Sequence, residues 1–282
     1  IVPISSNMKT YLKTKDFAYS GEEFSLLEDP QLEMLVTDPR PHDLGKYYDS
    51  ATYISHTDAN TSFVEKAYQL VKRYNLRWKV KQVRRNAKKG ISLLDVGAGT
   101  GDFLKAAASN KWNTKGVEPN ANAREAAKKK GVHLQEKTAA LKGRKFDAIT
   151  LWHVLEHVPD LESSFKELSD LLEEEGALFI AVPNYKSFDA RFYGTYWAGY
   201  DVPRHLWHFS RSSIQSLCKK NNLEVQKVKP MIFDAFYIAM LSEKYKRGKA
   251  GFLRSIAIGL WSNLAAWKTK EYSSLLYIIK RP

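Results

Sequence analysis

The residues with the clearest chemical potential lie in the segment Leu93-Leu94-Asp95-Val96-Gly97-Ala98-Gly99-Thr100-Gly101-Asp102-Phe103, where an acid precedes a G-x-G-x-G run. Glycine lets the backbone turn sharply and approach a ligand closely. A helix opening after such a turn offers free amide hydrogens to a carboxylate or phosphate. The spacing differs from the G-x-G-x-x-G of a dinucleotide site, which a nucleotide-linked oxidoreductase would need. Further along, Glu118-Pro119 closes a second apolar run. A carboxylate at that place can accept hydrogen bonds from both hydroxyls of a ribose. The glycines alone would fit a tight turn without a ligand; the leading acid, the strand context and Glu118 together favour a ligand site.

Two histidine clusters could do acid–base work. His153, Glu156 and His157 follow an apolar run, and a carboxylate beside an imidazole can fix its tautomer for removing a proton from a hydroxyl. The same spacing fits metal binding, although no convincing third ligand lies nearby in sequence; packing of the next helix is the bland alternative. Asp201-Val202-Pro203-Arg204-His205-Leu206-Trp207-His208-Phe209 is the second cluster. There His205 could serve as base and Arg204 could orient an anionic or carbonyl-bearing substrate, or the segment could fold back as a lid held by side-chain hydrogen bonds. His208, beside Phe209 at a helix start, reads as structural. The surrounding aromatics, from Tyr185 to Tyr200, suit an apolar acceptor pocket or a core beneath the lid.

The elements that must position these residues alternate. Ile91 to Val96, Thr114 to Val117, a weak run near Val132 to Leu134, Phe146 to Leu151 and Ala177 to Val182 read as strands. Phe103 to Ala108, Ala121 to Lys130 and Leu161 to Leu172 (with Gly176 as its stop) read as the intervening helices. Such alternation implies right-handed crossovers and a parallel sheet covered on both faces. A helix capped by Ser210 or Ser212, then strands at Leu223 to Val228 and Ser274 to Ile279, complete the domain over 91–282. Residues 184–209 and 231–272 are insertions that interrupt it. Residues 57–90, capped at Thr57 or Asp58, form a basic helical region, and 1–56 a proline-punctuated extension with short strands at Phe24 to Leu27 and Met34 to Val36.

The chain has 282 residues, 44% hydrophobic and 27% charged, enough to bury a core without staples. Cys218 is its single cysteine, which excludes an intramolecular disulfide and any multi-cysteine metal site. A net charge of +13 favours anionic partners. The basic run from Lys66 to Lys89 fits a solvated helix face better than a nucleic-acid surface, since no nucleic-acid motif accompanies it. Phe252, Leu253, Ile256, Leu260, Leu264 and Trp267 recur at near-helical spacing; they could pack on the domain or a homodimer partner, or lie peripherally on a membrane or over a lipid-like substrate. No uncharged apolar run reaches the roughly 18 residues of a spanning helix. With a single thiol and no export signal visible, a cytoplasmic location is expected.

The ordered set Leu93 to Phe103, Glu118, Phe146 to Leu151, His153-Val154-Leu155-Glu156-His157-Val158 and Gly176 to Pro183 resembles class I S-adenosylmethionine-dependent methyltransferases, in the branch of the quinone-biosynthesis O-methyltransferases. The likeness covers roughly residues 45–229. It implies a Rossmann-like α/β fold with a seven-stranded, mostly parallel sheet and one antiparallel strand. It also implies S-adenosylmethionine as cofactor, released as S-adenosylhomocysteine. By resemblance Asp95, Gly97, Ala98, Gly99, Thr100 and Gly101 form the cofactor loop, with Gly97, Ala98 and Gly99 along its methionine part. Glu118, with Pro119, holds the ribose, Trp152 and His153 flank the cofactor, and Tyr47 and Tyr53 stand where relatives cover it. The reaction implied is methyl transfer to a small hydrophobic or aromatic acceptor, with oxygen favoured and His153, His157 or His205 as base. A non-catalytic cofactor-binding module with a protein or membrane partner, or a nucleic-acid methyltransferase, are the alternatives. The amino-terminal piece resembles relatives that carry a small zinc ribbon, but Asp29-Pro30-Gln31-Leu32 replaces the cysteines, so no metal is expected there.

Overall fold

The computed structural model of the protein describes residues 8–47, 63–87 and 90–282, with side chains of the first helix described from residue 69. Tyr53 and the expected caps Thr57 and Asp58 lie outside the described residues.

The central sheet has the order β5-β4-β6-β7-β10-β9. Its strands are β4 (Ser92–Val96), β5 (Asn113–Val117), β6 (Phe146–Trp152), β7 (Leu172–Pro183), β9 (Glu224–Pro230) and β10 (Ser274–Lys280). The first four run parallel, whereas β10 is antiparallel to both neighbours. Alternate residues of each strand face opposite layers, as period-two geometry requires. Leu94, Ile149 and Ile180 join Leu161, Phe165 and Leu168 of α4 (Leu161–Leu171) and Ile214 and Leu217 of α6 (Arg211–Lys220). Leu93, Ala148 and Phe179 instead meet Val80 and Val83 of α1 (Phe63–Asn86) and Leu104 of α2 (Asp102–Ala108). Truncating a core side chain such as Leu94 to alanine removes about 2–5 kcal/mol.

Two expectations are corrected. The sheet has six strands rather than seven: near Val132 to Leu134 the chain makes only one parallel bridge, Val117 to Gln135. After α3 (Ala121–Lys129), the Val132 amide turns back to Ala127, and Leu134 packs over Gly116, where a Cβ would meet it at 2.5 Å. Nor does Gly176 stop the preceding helix. That helix ends at Leu171 because Leu172 is already extended, and Gly176 lies within β7 beside a register shift, where a Cβ would crowd the Phe146 carbonyl.

The extension forms a second sheet. β1 (Lys9–Lys15), β2 (Glu23–Asp29) and β3 (Met34–Asp38) make an antiparallel meander, completed by β8 (Trp207–His208) from the first insertion. Asp29 closes the β2–β3 hairpin by accepting from the amides of Gln31 and Leu32. The insertion also carries α5 (Phe188–Tyr193), capped by Ser187. The second insertion is a helical pair, α7 (Asp234–Arg247) and α8 (Phe252–Thr269). Buried Asp189 unites these parts, accepting from Trp197, from Ser262 of α8 and from Ser273, each at 2.7 Å.

Candidate functional site

The glycine turn leaves the carboxyl end of β4, the edge where open parallel sheets place their ligand crevice. Gly97, Gly99 and Gly101 have φ of 69°, 54° and 75°, a left-handed backbone that L side chains disfavour. At Gly97 a Cβ would also collide with Val154, whereas the Cβ position of Gly99 faces open space. The Gly99 amide donates to Glu118 Oε2 at 2.9 Å, and the Asn120 amide to Oε1 at 2.9 Å. The fold therefore brings Glu118 to the rim of the glycine turn. The Ala98 amide is spent on the Val117 carbonyl, and Thr100 accepts from Lys130. The Pro119 carbonyl accepts from Arg124.

Asp95 is buried beneath the turn and accepts from Thr150 Oγ1 at 2.6 Å. Burial pushes its carboxyl up to about 7, against the opposing pull of that hydrogen bond and of Lys79. Lys79 stands over the Trp152 ring, 4.5 Å from its centroid. Trp152 closes β6 edge-on to Phe103, and its Nε1 is buried without a partner in the structure. An open glycine cradle, a carboxylate at the rim and an orphaned indole donor fit an adenosyl ligand with a ribose. Of the two tyrosines expected to cover it, Tyr47 lies elsewhere: it is buried in the amino-terminal layer against Phe24, its hydroxyl donating to Glu22.

The histidines divide by environment. His153, in a left-handed conformation, sits between two carboxylates, 3.0 Å from Asp234 Oδ2 and 3.4 Å from Glu156 Oε1. Burial alone would lower its pKa, but the hydrogen bonds and charges of Asp234 and Glu156 prevail and bring it up to about 9. The two carboxylates favour the protonated ring, and its contact with Asp234 ties the end of β6 to α7. Glu156 is buried; burial would raise its pKa, yet His153 holds it below the usual carboxylate range.

His157 Nδ1 lies 3.0 Å from the Arg204 carbonyl, and His205 Nδ1 lies 2.9 Å from the Gly199 carbonyl. A carbonyl only accepts, so both rings carry a proton on Nδ1. Burial lowers the His157 pKa to about 4. Asp201 Oδ2 stands 3.9 Å from His205 Nε2, an ion-pair distance once that nitrogen takes a proton. The Leu206 amide, donating to the Glu156 carbonyl at 2.8 Å, fastens the two histidine segments together. Glu156, His157 and His205 consequently offer three ligand atoms within 4.8 Å of one another. The third ligand missing from the local sequence thus comes from the insertion, a tertiary contact that spacing could not reveal.

Arg204, which also lines the cavity described below, has its guanidinium engaged within the fold. Its guanidinium is 2% exposed and spent on Asp201 at 2.6 Å and Asp16 at 2.9 Å, with the Tyr47 carbonyl beyond. It locks the insertion to the amino-terminal sheet, which is the lid-stitching alternative. His208 is structural: Thr37 donates to the His205 carbonyl and so accepts from His208 Nε2 at 3.0 Å. Asp189 was not singled out by its sequence neighbourhood, and no local pattern marks it.

His153, His157, Asp201, His205, Tyr237 and Lys244 are among the residues lining a cavity of about 470 Å³ beneath both insertions. Two of its lining residues, His153 and Glu156, flank Val154, the side chain that a Cβ on Gly97 would meet. The basic helix α1 is largely occupied with the domain: Lys72 pairs with Asp102 at 2.7 Å, and Arg84 lies over Trp112.

Comparison with known proteins agrees with this arrangement. The chain is 30% identical over 161 residues to a ubiquinone biosynthesis O-methyltransferase of Pelagibacter ubique, covering 52% of this chain and 67% of that protein. It is 27% identical over 184 residues to the enzyme of the same name from Actinobacillus pleuropneumoniae, covering 58% and 76%. A magnesium protoporphyrin IX methyltransferase from Synechocystis, solved with bound S-adenosylhomocysteine, shares the fold at a TM-score of 0.56 and 13% identity, covering 84% of this chain and 97% of the other. The methyltransferase-domain family profile matches residues 65–228. The chain belongs to that family and is a methyltransferase, of the S-adenosylmethionine-dependent kind its glycine turn resembles.

Proposed function

We propose that the chain methylates an oxygen of a small, hydrophobic or aromatic acceptor seated in the cavity beneath the insertions, with His205 as base. The observation that carries this reading is the meeting of His205 and His157, both with Nδ1 bonded to a carbonyl, in a cavity lined also by His153 and Glu156 just past β6, the strand paired with the one that leads into the glycine turn. The names of the curated relatives, O-methyltransferases of ubiquinone biosynthesis, support the same acceptor class.

Gly97 and Gly99 let the backbone approach the cofactor, Glu118 holds its ribose hydroxyls, and Trp152 bounds the crevice. When bound, S-adenosylmethionine supplies a sulfonium methyl whose C–S bond breaks as the acceptor oxygen bonds to carbon, leaving S-adenosylhomocysteine. The protein chiefly aligns the two partners and excludes water. His205 Nε2 takes the hydroxyl proton, and Asp201 then faces the charged ring. Arg204, by locking Asp201 against Asp16, keeps that carboxylate in place. The cavity, rather than an open basic groove, favours a small molecule over nucleic acid. No helix among the described residues is long and apolar enough to cross a membrane. A cytoplasmic site of action belongs to this reading, supported by the one cysteine, Cys218, which is buried and inert with its thiol pushed up to about 12 by burial.

The test is release of S-adenosylhomocysteine from purified protein given a panel of catechols and hydroxylated benzoates. Turnover that His205→Ala abolishes, with cofactor affinity intact, is the expected result. Cofactor binding without turnover on any acceptor would leave a non-catalytic binding module. A second reading has its own observation, the grouping of Glu156, His157 and His205: a divalent cation held there would acidify the hydroxyl in place of a base. Under the first reading chelation leaves the rate unchanged; under the second it abolishes the rate and added cation restores it.

A further inference from the structure

Helix α8 is built with its large apolar side chains outward. Its buried positions are Ser255, Gly259, Ser262 and Ala266. A Cβ on Gly259 would meet the Phe236 ring of α7 at 2.6 Å, and the Ser262 hydroxyl donates to Asp189. The opposite face carries Leu253, Leu260, Trp261, Leu264 and Trp267, exposed by 82%, 58%, 56%, 57% and 70%. Their spacing of three, four and seven residues makes one continuous stripe, the inverse of a helix packed on a soluble core.

The apolar surface extends beyond α8. Asn263 donates to the carbonyl of Ile232, which is exposed, and the ring of the neighbouring Phe233 meets Tyr74 of α1 at 5.5 Å. Tyr237, also exposed, lines the cavity described above, so the surface reaches the cavity. The charges around the stripe have one sign. From residue 247 to 270 the chain carries Arg247, Lys249, Arg254, Lys268 and Lys270 and no acid. The nearest acid upstream, Glu243, is fully buried and shared by Arg247 and Arg254. Downstream, Glu271 is turned to Asn184 and Arg211.

We propose that this face docks on an anionic lipid bilayer, with the tryptophans and leucines at the headgroup–acyl boundary and the lysines among the headgroups. Charge decides between occupants. A symmetric contact between two copies would oppose identical cationic faces, whereas an anionic bilayer complements both the apolar stripe and its rim. The helix lies along the interface; it does not cross. The docking does not depend on the acceptor reading. If that reading holds as well, an apolar acceptor enters the cavity from the bilayer side past Tyr237.

The test is co-sedimentation of the full chain with vesicles of phosphatidylcholine alone or mixed with phosphatidylglycerol. Binding to the mixed vesicles, at least about ten-fold stronger than to phosphatidylcholine and weakened by salt, is expected. The triple variant Leu260→Asn, Trp261→Asn, Trp267→Asn, on the exposed face, should lose about ten-fold or more while melting like the parent. Lys249→Glu with Lys268→Glu should lose the preference for phosphatidylglycerol. Absence of binding to mixed vesicles overturns the proposal, as does wild-type binding by the triple variant. A dimer detected by light scattering that the triple variant abolishes, without vesicle binding, would assign the face to a second copy instead. Methyl transfer to a water-soluble acceptor is measured in parallel, so failure of docking and failure of the acceptor reading are distinguishable.

Discussion

The rings of His157 and His205 meet edge to face, their centroids 4.6 Å apart and their planes at 79°. Each is held by a backbone carbonyl, so the pair presents two fixed tautomers rather than two rotating side chains. This contact joins the segment after β6 to the first insertion on one wall of the cavity.

Replacing His205 by alanine should lower kcat about 100-fold or more, the usual contribution of a positioned base. Cofactor affinity, measured by calorimetry, should stay within about two-fold, because the contacts of His205 are to Gly199, Asp201, His157 and His208 rather than to the glycine turn. His153→Asn should retain far more turnover, since Asp234 and Glu156 favour the protonated ring. Equal losses in the two variants would contradict the division of roles.

Glu118→Gln should weaken cofactor binding by about 1.5–3 kcal/mol, the range for hydrogen bonds to a charged acceptor. Gly99→Ala should weaken it too, placing a methyl in the open space over the turn and straining a backbone with φ of 54°. Unchanged affinity in both would move the cofactor elsewhere.

Arg204→Met should destabilise the fold by about 3 kcal/mol, because it leaves the buried Asp16 carboxylate with only its own turn's donors and takes the ion-pair partner from Asp201. Chemical denaturation reads the loss. A variant within about 1 kcal/mol of the parent would mean that water reaches the triad.

Stability should depend on pH through His157 and His153, whose pKa values move in opposite directions on folding, with Asp95, raised to about 7 by burial, opposing His157 on the acid side. The His157 pKa falls from 6.5 to about 4 on folding. The unfolded chain therefore binds a proton there that the folded ring refuses, so the His157 contribution drops as pH falls from 6.5 to 4, while that of Asp95, protonated on folding in the same interval, grows; Asp95→Asn should expose the His157 limb. The His153 pKa rises from 6.5 to about 9, so its contribution is complete below 6.5 and lost as pH climbs through 9. Thermal melts across this range check both limbs. His153→Asn should flatten the alkaline one, and a limb that persists in that variant would have another source.

Hydrophobic periodicity made the alternation of strands and helices legible, because each element buries a whole face against one layer; Leu93 and Leu94 already point to opposite layers in the text of the chain. The cofactor turn was legible too, since the glycines, Asp95 and the strand that carries them are local, and Glu118 ends the adjacent strand. Local pattern did not reveal that the run Val132 to Leu134 forms no strand and is followed by a single bridge at Gln135, because the return of Val132 to Ala127 is a matter of three-dimensional packing. It also left the histidines undivided. His153, His157 and His205 look alike as residues; what separates them is Asp234 arriving from α7, the carbonyls of Gly199 and Arg204, and the burial that follows. Protonation depends on distance and desolvation between segments far apart in the chain, so only the tertiary structure could decide it. The outward face of α8 was decided in the same way: its apolar stripe is written in the sequence, but Asp189 and Phe236 claim the serines and Gly259, and that choice leaves the leucines and tryptophans facing out.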